Sequence, residues 1–157
     1  MILERCPWCL GDIKNQSYHD NEWGNPNFDE NSLFEFLILE TFQTGLSWRI
    51  IINKREFIKK SFSNFNIEKI AEYDIIQINN LLKNKNIIRN KLKIESTVSN
   101  AKAFIKIQKK EESFSNYIWK FVNGVPIQNN FKNQKEIPKQ TKLSMIISKD
   151  LKKRGFK

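Results

Sequence analysis

A chain of 157 residues, 39% hydrophobic and 28% charged, has enough apolar material for one core under a strongly solvated surface, so one globular domain over residues 1–157 is expected. Its net charge of +10, from 27 Lys and Arg against 17 Asp and Glu, suits a polyanionic partner and equally suits lysine-coated helix faces. The apolar runs are too short to cross a bilayer, the start lacks a secretory signal, and Cys6 and Cys9 make no disulfide framework; a membrane or disulfide-scaffold protein is excluded and a cytoplasmic location is expected.

Along the chain, "CPWC" and "YHDNEWG" come first. The second is a polar run without periodic apolar residues and reads as an irregular recognition segment, because its polar groups would need partners if buried. Cys6 and His19 are sulfur and imidazole donors of the kind zinc favours, and Cys9 could add a third. A buried thiol and a hydrogen-bonded histidine are the favoured explanation over a metal site, since no Cys or His follows to complete four ligands. Ser32 and Glu35 have capping-box spacing at the head of a nearly all-apolar helix that Gly45 stops. Ser47 opens a second helix with Trp48, Ile51, Ile52, Phe57, Ile58 and Phe62 inward and Lys54, Arg55, Lys59 and Lys60 outward.

Asn66 and Asp74 are the N-caps of two shorter helices, the second burying Ile75, Ile78, Leu81 and Leu82. A turn over residues 83–90 leads to a long helix with Ile94, Val98, Ala101 and Ile105 on one face. Gly124 ends the next element, a polar connection follows, and Thr141 caps a last helix that stops before Gly155. No alternating period competes, so the fold class is all-α, without repeats.

Glu40 stands in the apolar stretch "FLILETF", where a carboxylate needs a cationic or hydrogen-bond-donating partner unless it faces solvent at the helix end. The turn "QTGLSW" sets Gly45 and Leu46 as either a wedge for a base stack or a packed corner between helices. Trp8, Tyr18, Trp23 and Trp48 surround one carboxylate in chain order. Aromatic faces and a carboxylate together would hold a cationic planar ligand, and an alkylated purine meets both demands; core packing is the alternative for any one ring.

The words "ERCPW", "YHDNEWG", "LFEFLILETFQTGLSW", "WKFVNG" and "LKKRGFK", in order from Glu4 to Lys157, resemble the bacterial 3-methyladenine DNA glycosylase I family. The resemblance implies a monomeric helix-hairpin-helix glycosylase that flips 3-methyladenine out of double-stranded DNA and hydrolyses its N-glycosidic bond without a lyase step. It further implies Glu40 as the pocket carboxylate, Trp8, Tyr18, Trp23 and Trp48 as its aromatic lining, and Gln43, Gly45 and Leu46 as the loop that probes the gap in DNA. Cys6 and His19 match two ligands of a structural zinc, and "KNIIRNKLKI" occupies the hairpin that grips the DNA backbone. Three departures stand out: the sequence stops at Lys157, before the His and Cys that complete the family's zinc site; Asn86 and Leu92 replace hairpin glycines; and Asn15 replaces a pocket tyrosine. A non-catalytic basic DNA-binding remnant of such an enzyme is the rival reading.

Overall fold

The computed structural model describes residues 5–157; Glu4, where the resemblance begins, lies outside them. Those residues form eight α-helices joined by short 3₁₀ turns and loops, and no strand.

Helix α1 (Ile13–Asn21) occupies ground read from sequence as irregular. Its N-cap is Asp12, whose side chain accepts from the Asn15 N–H at 3.0 Å. The helix buries only Asn15 and Tyr18, so no apolar stripe marks it in the sequence. Helix α2 (Glu30–Gln43) starts earlier than its expected capping box. Asp29 caps it, accepting from Ser32 N–H at 2.8 Å, while Glu35 is buried and serves an ion pair. Phe34, Ile38, Leu39 and Phe42 on α2 are wholly buried, which makes it a central helix, as its composition indicates.

Helix α3 (Trp48–Ser61) follows Ser47 as expected and inserts Ile51, Ile52 and Ile58 into the core. Phe57 faces solvent, and Arg55, expected outside, turns inward. From α3 the chain passes through a left-handed turn in which Ser63, Asn64 and Phe65 have φ of 52°, 55° and 57°. Such backbone costs roughly 1–2 kcal/mol per L-residue. Burial of Phe62 just before the turn and of Phe65 within it offsets this cost.

Asn66 and Asp74 cap α4 (Ile67–Ala71) and α5 (Ile75–Lys83) through backbone N–H groups. On α5, Leu81 is buried and Ile75 is exposed, since its first turn projects past the core. Helix α6 (Lys91–Glu111) packs against α2, α4, α5 and α7 and carries Ile94, Val98, Ala101, Phe104 and Ile107 inward. Between α5 and α6 runs the expected hairpin. Neither Asn86 nor Leu92 has positive φ there, so replacing glycine at these positions brings no backbone strain.

Helix α7 (Phe114–Trp119) has its first amides held by Glu30, which accepts from Phe114 N–H at 2.9 Å and Ser115 N–H at 2.6 Å. Helix α8 (Lys142–Lys153) is capped by Thr141. It docks through Asp150, which accepts from the Tyr117 hydroxyl at 2.7 Å and pairs with Arg154. Beyond it Phe156 enters the core, and Lys157 exchanges two hydrogen bonds with the buried Asn100 side chain. These contacts explain the "KKRGFK" match: arginine for the ion pair, phenylalanine for the core, and between them Gly155 at φ 99°.

Candidate active site

The N-terminal segment, α1, the end of α2 and the start of α3 enclose a cavity of about 550 Å³. Trp8, Asn15, Tyr18, Trp23, Glu40 and Trp48 line it, together with Gln43, Ser47 and Arg49. The four aromatic residues expected to form a lining therefore share one cavity. The Trp8 and Trp23 rings meet edge to face at 5.3 Å, and Tyr18 leans on Trp48 at 5.1 Å. Each ring braces another, so the walls are set before any ligand enters. Trp23 is still about half exposed, at 48%, and stands at the mouth.

Glu40 projects from α2 into this space. Its carboxylate makes no hydrogen bond or ion pair among the described residues; of the two readings open in the sequence, a partnered carboxylate or one facing solvent at the helix end, the second holds. Glu40 is open to solvent on the cavity side, yet the surrounding walls remove enough water to raise its carboxyl above the ordinary value. Burial, then the negative charges of Glu40 and Glu22, push the Tyr18 phenol up to about 12. A carboxylate left without a partner beside aromatic faces is a site for a cation or a hydrogen-bond donor.

The Gln43–Leu46 turn forms one lip. Thr44 at φ −48°, ψ 116° and Gly45 at φ 79° make a type II turn, whose third position favours glycine. Leu46 N–H donates to the Gln43 carbonyl at 2.7 Å, and the Gln43 side chain returns a bond to the Leu46 carbonyl at 2.9 Å. Leu46 is only partly buried and rests on the core, which joins the two sequence readings: a packed corner with one flank still open. From below, Lys93 in the first turn of α6 donates to the Phe42 and Thr44 carbonyls at 2.5 and 2.6 Å, satisfying the end of α2. This ties the hairpin to the Gln43–Leu46 turn, and no pattern in the sequence announces it.

"YHDNEWG" divides its labour among neighbours. Tyr18 and Trp23 serve the cavity; Asp20 takes a forked ion pair from Arg5 at 2.9 Å. Glu22 accepts both its bonds from Arg55 at 2.8 Å, and the same guanidinium donates to Glu35. One arginine thus joins α1, α2 and α3 behind the cavity. The missed signal was positional: Arg55 falls at helical spacing between Ile51 and Ile58, on the buried stripe of α3.

Cys6 and His19 also meet. The Cys6 N–H donates to His19 Nε2 at 3.4 Å, and Asp20 accepts from Nδ1 at 2.9 Å, an orientation that leaves Nε2 as the acceptor a metal would use. Cys9 is buried with its thiol donating to the Cys6 carbonyl at 3.1 Å. Among the described residues no three His, Cys, Asp or Glu side chains are grouped to hold a metal, so Cys6 and His19 alone do not fit a four-ligand zinc site.

The short helix α5 and the long helix α6 joined by a hairpin, beside an aromatic pocket of about 550 Å³ with a free carboxylate, define a class: a helix-hairpin-helix fold with a cavity that has room for a planar base. The chain belongs to the methyladenine glycosylase family, whose profile matches residues 8–157. It is 43% identical over 155 residues to the DNA-3-methyladenine glycosylase of Haemophilus influenzae, covering 99% of this chain and 84% of that one. A crystal structure of 3-methyladenine DNA glycosylase I superposes with a TM-score of 0.95 at 40% identity, covering 98% of this chain and 85% of the other. Another, of a variant of such an enzyme in complex with 3-methyladenine, superposes at 0.94 with 33% identity, over 99% and 83%.

Proposed function

We propose that this protein is a monofunctional DNA repair glycosylase that flips 3-methyladenine out of double-stranded DNA and hydrolyses its N-glycosidic bond. The observation that carries the reading is the free Glu40 carboxylate inside a cavity walled by Trp8, Tyr18, Trp23 and Trp48. Methylation at N3 makes the attached adenine cationic and already a good leaving group. The protein therefore needs mainly to extract, stack and orient the base. π faces and a carboxylate favour the charged base over neutral adenine, and Glu40 acts by recognition and electrostatics, with water as nucleophile.

Gln43, Gly45 and Leu46 fill the gap left in the duplex, and Lys93 holds that turn in step with the hairpin. The hairpin's backbone amides and the excess of Lys and Arg grip phosphates. The enzyme works as a cytoplasmic monomer. No helix among the described residues is long and apolar enough to cross a membrane. Cys6 and His19 would be two donors of a zinc site, a set that is incomplete among the described residues.

The test is chromatographic detection of free 3-methyladenine after incubating the purified chain with methylated DNA, beside a buffer control for spontaneous depurination. Release above the control is expected. A folded chain that binds the DNA and releases nothing would overturn the reading in favour of a non-catalytic binding remnant.

A further inference from the structure

Two buried polar atoms have no hydrogen-bond partner among the described residues: Asn15 Oδ1 and Trp48 Nε1. Both residues line the cavity that holds Glu40. They are opposite in kind, one an acceptor and the other a donor. Asn15 is 1% exposed, so its amide is withdrawn from water. Its orientation is set from behind, because Nδ2 donates to the Trp8 carbonyl at 3.0 Å. Turning the amide over would place oxygen against oxygen, so the unused atom is the acceptor. Native proteins rarely leave such an atom unmatched, and where they do a ligand is one explanation.

We infer that Asn15 is a specificity-determining residue of the pocket, its Oδ1 accepting a hydrogen bond from the exocyclic amino group of the bound base. The inference rests on the base-pocket reading above. An adenine-type base carries that amino donor beside ring-nitrogen acceptors, so the same base offers Trp48 Nε1–H an acceptor. A hypoxanthine- or guanine-type base presents a carbonyl instead, setting oxygen against the Asn15 oxygen and leaving a buried acceptor unmatched. Sites built to bind a polar group reject analogues that lack it far more strongly than apolar pockets reject a change of size. Asn15 stands where the family resemblance implies a tyrosine, so an amide acceptor at this place belongs to this chain.

The experiment is tryptophan-fluorescence titration of the full chain with free 3-methyladenine and with 3-methylhypoxanthine, in which a carbonyl replaces the amino group. Wild type, Asn15→Leu and Asn15→Ala are compared, with circular dichroism as the check on folding; the smaller substitution covers the case in which leucine does not fit. Wild type should prefer 3-methyladenine by roughly tenfold or more, and each variant should lose about tenfold for that base while keeping or gaining affinity for the other, whose carbonyl no longer meets the Asn15 oxygen. Equal losses for both bases, or selectivity that survives in the variants, would overturn the role of Asn15 and reduce it to a prop for Trp8. Wild type that binds both bases equally would overturn it too, leaving the base pocket standing. Wild type that binds neither would overturn the base-pocket reading itself and this inference with it.

Discussion

Arg55→Met removes the guanidinium that joins three helices while keeping a stem of similar length. Arg55 donates to Glu22 at 2.8 Å and to Glu35 at 2.5 Å, with side-chain exposures of 21% for Arg55, 32% for Glu22 and 9% for Glu35. The Glu22 end is a third exposed and is worth about 1 kcal/mol or less. The Glu35 end is different. Removing one partner of a buried pair costs about 3–5 kcal/mol, because the remaining charge is left desolvated. Lys59, 3.6 Å from Glu35, recovers part of this. The net expectation is a loss of about 3 kcal/mol, or a Tm lowered by about 6–12 °C for a domain of this size.

Urea unfolding followed by circular dichroism measures the loss. The double variant Arg55→Met with Glu35→Gln should return to within about 1 kcal/mol of wild type, since no buried charge is then stranded. A single variant within about 1 kcal/mol of wild type, or a double variant less stable than the single, would refute the reasoning.

Glu40→Gln should lower release of 3-methyladenine by about 10- to 100-fold, a loss of one charge-assisted contact in a sheltered site, and unchanged release would remove Glu40 from the mechanism. Surrounding walls raise the Glu40 carboxyl, so the linkage favours folding only below the unfolded value and vanishes as pH rises through the folded one; at neutral pH the substitution should cost no stability. By the same sign, wild-type excision should fall as pH drops through the raised value, and that limb should be missing from the pH profile of the variant. Lys93→Met strands the Phe42 and Thr44 carbonyls and should cost about 1–2 kcal/mol; hydrogen exchange at residues 43–46 should speed up, and unchanged protection would show that Lys93 does not hold the turn. Metal analysis of the purified chain should find less than one tightly held zinc, since two donors do not make a stable site, and a full equivalent would reveal further ligands.

Much of the helical frame was readable because it rests on local rules. Ser47, Asn66, Asp74 and Thr141 precede helices as N-caps do, and the apolar density of α2 identifies a helix buried all round. Where cap and pattern disagreed, the pattern misled. Ser32 looked like a cap because Glu35 follows it at capping-box spacing, yet Asp29, three residues ahead, is the true cap and accepts from the Ser32 N–H. Helix α1 escaped notice because a helix that buries Asn15 and Tyr18 needs no hydrophobic stripe.

Residue types named the chemistry: one carboxylate in an apolar run, four aromatics in the regions around it, and a cysteine and a histidine early in the chain. Which of them meet was decided by tertiary structure. Trp8, Tyr18 and Trp48 sit on separate segments and become neighbours only when α1 packs on α3. In the chain Arg55 reads as outward polar surface, Lys93 as one more residue of the hairpin segment and Asn15 as a departure from the family's pocket tyrosine, and each gains its meaning from partners far away or, for Asn15, from one missing partner. Caps and periodicity act over one or two turns and so survive in the linear sequence, whereas burial and hydrogen-bond partnership depend on what the folded chain brings to the same place.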